Sequence, residues 1–184
     1  MHDPLITILT PSFNKAKFVG DAIQSVLDQT YKNFEYIIVE NSTDSVTKDV
    51  VKQYTDKRIV YVDQKFTPSQ RKSVYIPARI MNTYYQKAKG EYILFLADDD
   101  VLFPDCLKVM VRFFKQHKEA AVCYHDQAIM SIQGKKVSFE SLIRGSNKVL
   151  TSTTGNPRDM LDGGQIMIKK RILEHTYLLI ETDL

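Results

Sequence analysis

Two rhythms of apolar residues alternate along this chain. Short unbroken apolar runs, which suit strands buried on both faces, fall at 5–10, 34–40, 58–62, 92–97 and 120–124. Between them the spacing turns helical. Val19, Ala22, Ile23, Val26 and Leu27 share one face, as do Val46, Val50, Val51 and Tyr54. A third helix is predicted from about Pro77 to Ala88, with Ile80, Met81, Tyr84 and Tyr85 inward and Gly90 closing it. A fourth starts behind Pro104 and carries Leu107, Met110, Val111 and Phe114 on one side. Strand and helix alternate from the first residues, so βαβ units and a mostly parallel sheet flanked by helices are the economical fold. The class is α/β.

Turn chemistry punctuates the pattern. Pro11-Ser12-Phe13-Asn14 stops the first strand and Asn41-Ser42-Thr43-Asp44 the second. Residues 64–75 are polar and basic without a clear period, and read as a mobile loop. After His125 the rhythm weakens. Residues 128–132 and 137–139 suggest a hairpin around Gly134, 146–162 a loop, 163–168 a short strand and 170–175 a helical turn. The apolar run at 178–184 has nothing after it to pack with, so a truncated chain is expected.

The run at 92–97 leads directly into Asp98, Asp99 and Asp100. Carboxylates cannot continue a buried strand, so they belong where it leaves the sheet. In open parallel sheets ligands bind at that edge. Three adjacent like charges call for a cation or hydrogen-bond donors. Their hard oxygens suit Mg2+ or Mn2+ better than zinc. The functional reading is a divalent-metal site that holds phosphates. The plainer alternative is a solvated acidic turn capping the next helix.

Composition narrows the classes without choosing among them. The chain has 184 residues, 43% hydrophobic and 26% charged, which suits one domain with a real core. A net charge of +3 does not mark a nucleic-acid binder but tolerates an anionic substrate. Cys106 and Cys123 stand alone, with no zinc spacing and no disulfide scaffold, so a reducing, cytoplasmic setting is expected. No secretory leader and no membrane-spanning apolar run are visible. Peripheral contact with the inner face of a membrane stays open.

Two long segments carry a resemblance. ITILTPSFNKAKFVGDAIQSVLDQTYKNFEYIIVENSTD and AKGEYILFLADDDVLFPDCL resemble, in order and separation, the opening and the acidic motif of family 2 glycosyltransferases of the GT-A fold. Within the family the likeness is to a bacterial spore-coat polysaccharide glycosyltransferase. It is good over residues 4–125 and looser beyond. It implies a single Rossmann-like GT-A domain, with 1–125 binding the nucleotide sugar and 126–184 a partial, less regular acceptor region. It implies inverting transfer of a sugar from a nucleoside diphosphate donor, a UDP- or dTDP-sugar, to the hydroxyl of a glycan or lipid-linked acceptor. Mn2+ or Mg2+ would assist.

The resemblance also assigns roles. Pro11, Ser12 and Phe13 match the turn that lines the nucleoside pocket, and Phe13 has a face on which a base can stack. Glu40 and Asn41 stand where the family usually has two aspartates, one of which reads the base. This is a departure, although an amide still offers both donor and acceptor. Asp98 matches a ribose ligand, and Asp99 or Asp100 a metal ligand that would neutralise the leaving diphosphate. Arg71 and Arg79 are candidates for the pyrophosphate. Inversion needs a carboxylate base. Glu181 and Asp183 are the candidates within this chain, and a base beyond Leu184 is the stronger expectation. Two other functions fit parts of the pattern. A non-catalytic nucleotide-sugar-binding module would suit Glu40-Asn41 and the missing base. A nucleotidyltransferase also pairs carboxylates with Mg2+, but it normally has a glycine- and lysine-rich loop where Pro11-Ser12-Phe13-Asn14-Lys15 stands here.

Overall fold

The computed structural model describes residues 2–125, 127–133, 136–143 and 166–173. Strand β1 (Ile6–Ser12) is followed by α1 (Val19–Leu27), β2 (Phe34–Glu40), α2 (Val46–Lys52) and β3 (Ile59–Asp63). Then come α3 (Pro68–Ser73), α4 (Ile76–Tyr84) with a 3-10 turn behind it, and β4 (Tyr92–Phe95). Helix α5 (Cys106–Gln116) and β5 (Val122–Tyr124) follow, then the pair β6 (Gln127–Gln133) and β7 (Lys136–Ile143). Last are β8 (Ile166–Lys169) and α6 (Lys170–Leu173).

Six strands form one sheet in the order β3-β2-β1-β4-β8-β5, and β6-β7 form a separate antiparallel pair. β1 runs parallel to both β2 and β4, and β2 parallel to β3. β8 is antiparallel to β4 and β5, between which it lies. Chain order along the sheet therefore reverses at β1: β2 and β3 lie on one side, β4 on the other. Such a switch point opens a crevice at the carboxyl ends of the strands.

Each face of the sheet carries its own core. Ile6, Ile8, Tyr36, Ile38 and Leu94 pack with Val19, Ile23 and Val26 of α1 and with Leu107, Met110 and Phe114 of α5. Leu9, Ile37, Val39, Ile93 and Phe95 pack on the other side with Ile76, Ile80 and Tyr84 of α4. Alternation along each strand sends successive side chains to opposite faces, so both faces being covered explains the unbroken apolar runs.

One expectation is corrected here. The segment 64–75 is not a featureless loop, because residues 68–73 form α3. Thr67 accepts from the Gln70 N–H while the Gln70 side chain accepts from the Thr67 N–H, and Pro68 opens the first turn. This capping box was readable as Thr-Pro-Ser-Gln, but six residues are too few to show an apolar period.

Two clamps fix β4, one at its start, away from the carboxyl edge, and one on the loop beyond it. At the start of β4, the buried Thr7 hydroxyl accepts the Gly90 N–H at 2.9 Å and donates to Glu35 Oε1 at 2.6 Å. The same carboxylate oxygen accepts the Lys89 N–H at 2.5 Å. Gly90 is required for this approach. A Cβ there would lie against the Thr7 amide nitrogen, 2.6 Å from Thr7 Oγ1 and 2.9 Å from the Ile6 carbonyl carbon.

Beyond β4, the buried Gln29 at the end of α1 grips the next loop. Its amide donates to Phe103 O at 2.8 Å and accepts the Leu107 N–H at 3.1 Å. The Thr30 N–H reaches Pro104 O at 2.8 Å and its hydroxyl reaches Asp105 Oδ1 at 2.6 Å. Among the described residues no helix is long and apolar enough to cross a membrane.

Candidate functional site

The carboxyl ends of β1, β2 and β4 bring three turns together. Pro11 and Ser12 are the last residues of β1, in register with Val39 and Glu40 of β2. The Asn41 N–H and side-chain amide both donate to Ser12 O, at 2.9 and 2.6 Å. Asn14 takes a left-handed conformation, φ 53°, which asparagine tolerates better than most residues. There its N–H meets Ser42 Oγ at 2.8 Å and its Oδ1 accepts the Thr43 N–H at 3.1 Å. The turns after β1 and β2 are thus joined by their own polar groups.

Asp98 joins β4 to the same assembly. Its Oδ2 accepts the Phe13 N–H at 2.9 Å, across 85 residues of sequence. The side chain is 7% exposed. Burial raises its pKa above the ordinary carboxylate value, opposed by the Phe13 N–H, the Ser12 hydroxyl and Lys15. Asp99 points to solvent and meets the Lys15 ammonium at 2.5 Å. The contact with Asp99 raises the Lys15 pKa, with added fields from Asp98 and Asp100.

Arg71 stands against the turns after β1 and β2. From α3 its guanidinium donates to Asn41 Oδ1 at 3.0 Å and to Asn41 O at 2.5 Å. Its carbon lies 4.4 Å from the Phe13 ring centroid and 5.8 Å from that of Phe66. The planar fork suits both contacts at once. Phe13 remains 40% exposed and Asn41 is buried. With Nδ2 held by Ser12 O and Oδ1 facing Arg71, the Asn41 amide has a fixed orientation.

Other sequence candidates fall elsewhere. Glu40 is fully buried, and its Oε1 accepts the Ser42 N–H at 2.6 Å, so it shapes the turn from within. Arg79 lies half-buried in α4. Glu181 and Asp183 lie outside the described residues. Lys15 and the turn residues Asn14 and Ser42 were not singled out from sequence. Lysine four residues after a strand-ending proline is a common surface pattern, and only the meeting of β1 with β4 gives it a partner.

The acidic motif offers a divalent ion a partial set of donors. Among the described residues no three His, Cys, Asp or Glu side chains are gathered to hold a metal by themselves. Asp99 and Asp100 supply hard carboxylate oxygens, and Mg2+ or Mn2+ commonly takes one or two carboxylates with the rest from substrate phosphates and water. The residues fit an ion shared with a diphosphate.

Comparison with known proteins decides the family. The profile of glycosyl transferase family 2 matches residues 7–176. The chain belongs to that family. Among curated relatives, the protein CgeD of Bacillus subtilis is 30% identical over 146 residues, covering 79% of this chain and 34% of CgeD. The Escherichia coli enzyme WfgD, a UDP-Glc:alpha-D-GlcNAc-diphosphoundecaprenol beta-1,3-glucosyltransferase, is 26% identical over 152 residues, 78% of this chain and 57% of the enzyme. This family 2 chain therefore spans about a third to somewhat over half of those proteins.

Solved structures agree on the fold. The UDP-GlcNAc complex of Staphylococcus aureus TarS 1-349 superposes with a TM-score of 0.68 at 21% identity, over 92% of this chain and 46% of that one. The mannosyltransferase PcManGT of Pyrobaculum calidifontis, in complex with GDP-Man and Mn2+, gives 0.63 at 16% identity, over 99% and 50%. The sheet is that of the GT-A glycosyltransferases, as the sequence resemblance implied.

Proposed function

We propose that this chain binds a nucleoside diphosphate sugar, a UDP- or dTDP-sugar, at the carboxyl ends of β1, β2 and β4. It then transfers the sugar with inversion to the hydroxyl of a cell-surface glycan or its lipid-linked precursor. The observation that carries the reading is the hydrogen bond from the Phe13 N–H to Asp98, which fuses the β1 turn with the acidic motif at the switch point. The name of WfgD, a UDP-sugar enzyme acting on a polyprenyl-diphosphate-linked sugar, supports the donor and acceptor classes.

In this reading Phe13 and Asn41 border the base, with Arg71 closing that end. Asp98 is the ribose ligand. Its burial and its backbone partner fix the carboxylate before donor arrives, so little reorganisation is needed. Asp99 and Asp100 would hold Mn2+ or Mg2+. A bound ion there would supply Lewis-acid neutralisation of the leaving diphosphate. Glu181 or Asp183 is the candidate for accepting the proton of the acceptor hydroxyl. Residues 1–125 serve the donor and 126–184 contribute to the acceptor side of one domain.

The test is thermal stability against UDP, dTDP and GDP, each with and without Mn2+. A ligand at a hundred times its dissociation constant adds about 2.7 kcal/mol, a shift of roughly 5 to 10 °C for a chain of this length. A UDP or dTDP shift that requires Mn2+ and disappears in Asp99→Ala supports the reading. A cooperatively melting protein that shifts with no nucleotide refutes it. Glu181→Gln and Asp183→Asn then test the two base candidates: loss of transfer with an intact nucleotide shift would assign the role to that residue, and undiminished transfer in both would exclude the pair.

A further inference from the structure

The acidic motif already has a cation on it. We propose that Lys15 is a built-in counter-ion of Asp99 that is exchanged when metal and donor bind, releasing the ammonium to the donor diphosphate. The inference rests on the donor-site reading above and extends it to a residue outside the acidic motif.

Four observations support the exchange. Lys15 Nζ lies 2.5 Å from Asp99 Oδ2, and both side chains are near 40% exposed. Asp98 and Asp100 add their fields to the same ammonium. Lys15 stands two residues after Phe13, whose N–H is tied to Asp98, so its backbone is held beside the motif. Its own neighbour Asn14 is pinned to the β2 turn through Ser42 and Thr43. The anchor is therefore fixed while the four-carbon stem is free to swing.

The energetics favour replacement rather than permanence. A solvent-exposed pair contributes little to stability. A divalent ion brings twice the charge to the same oxygen and is attracted correspondingly more strongly. Lysine is also a standard point-charge partner of phosphate oxygens. The diphosphate of the bound sugar donor is matched by one divalent ion, but the nucleoside diphosphate that leaves, like UDP itself, carries more negative charge than that ion cancels. The ammonium freed from Asp99 then has a stronger anion within reach of the same anchor. While Lys15 stays on Asp99, metal alone meets a competitor. While the diphosphate takes Lys15, Asp99 is left bare for the metal. Each ligand should therefore strengthen the other.

Mn2+ binding to the protein without nucleotide, read from the spectrum of the free aquo ion, measures the first half. Lys15→Met should bind Mn2+ about two- to fivefold more tightly than the unsubstituted chain, the range that an exposed pair supplies. Calorimetric titration with UDP at saturating Mn2+ measures the second half. There Lys15→Met should lose about tenfold in affinity, the loss of one charge-assisted contact. Lys15→Arg, which keeps the charge, should recover most of both effects. Unchanged or weaker Mn2+ binding in Lys15→Met would overturn the exchange, as would undiminished UDP affinity. Absence of UDP binding in the unsubstituted chain would instead count against the donor site. The Mn2+ comparison would still decide whether Lys15 competes for Asp99.

Discussion

Gly90→Ala tests the close approach of β4 to the central strand. The added methyl group has no free space. It faces the Thr7 amide nitrogen, with Thr7 Oγ1 at 2.6 Å and the Ile6 carbonyl carbon at 2.9 Å. Two of these neighbours are backbone atoms of the central strand, which is paired on both sides and cannot yield alone. Overpacking of a well-filled interior costs about 1–3 kcal/mol, and a clash against backbone belongs at the top of that range. For a chain of this size each kcal/mol moves Tm by about 2–4 °C. The expected loss is then about 6–12 °C by circular dichroism. Nucleotide affinity should fall in parallel, because β4 delivers Asp98. Gly20→Ala is the matched control. There the new methyl meets only side-chain atoms, the Tyr54 hydroxyl at 3.2 Å and Val50 Cγ1 at 3.5 Å, and alanine favours the helix by about 0.8–1 kcal/mol. That gain should roughly offset disturbance of the 2.9 Å bond from Tyr54 to Gly20 O. Gly90→Ala melting within about 2 °C of the unsubstituted chain, less than 1 kcal/mol, would refute the packing argument at the start of β4.

Three further outcomes follow from the site and its supports. Thr7→Val keeps the shape but leaves the buried Gly90 N–H without its acceptor, so urea unfolding should show a loss of about 1–3 kcal/mol. Asp98→Asn should abolish UDP binding yet leave the fold at least as stable as before at pH 7. The Asp98 pKa is raised by burial, so its favourable contribution is complete below the ordinary carboxylate range and is lost as pH rises through the folded value. The relative stability of the Asn variant should therefore increase from pH 3 to pH 7, and a decrease in paired melts would contradict the burial argument. Arg71→Lys should weaken UDP binding almost as much as Arg71→Ala, roughly tenfold by calorimetry, since an ammonium cannot make the two-pronged contact to Asn41 while lying flat on Phe13. Lysine restoring full affinity would show that charge alone matters there.

Strands were the easiest part to read from sequence because the sheet is covered on both faces. β2 begins and ends where its apolar run does, and β1, β3 and β4 differ from theirs by a residue or two at the ends. Helices α1, α2, α4 and α5 appeared as apolar stripes for the same reason: each packs on a sheet face. Position within the sheet was not legible. The run at 163–168 suggested a strand, but nothing local says that β8 lies antiparallel between β4 and β5. That choice depends on contacts between distant segments. Helix α3 was missed because its signal is a cap rather than a period, and missing it hid how Arg71 reaches Asn41. The acidic motif was conspicuous as three aspartates, but their different environments were not. One is buried against a backbone N–H and its neighbour is exposed against a lysine, a distinction made by the turn after β1.

The grip of Gln29 and Thr30 on residues 103–107 has a consequence for exchanging parts between relatives. These two residues close α1, yet most of their polar groups are spent on the segment behind the acidic motif. The segment is therefore not a portable cassette. Transplanting 98–107 into a scaffold that lacks this pair would strand the Leu107 N–H and the Phe103 carbonyl, and the aspartates would lose their downstream anchor. A graft that takes the end of α1 along with the acidic loop carries its own fastening. The smallest transferable unit of this site is thus two segments some seventy residues apart, joined through Gln29.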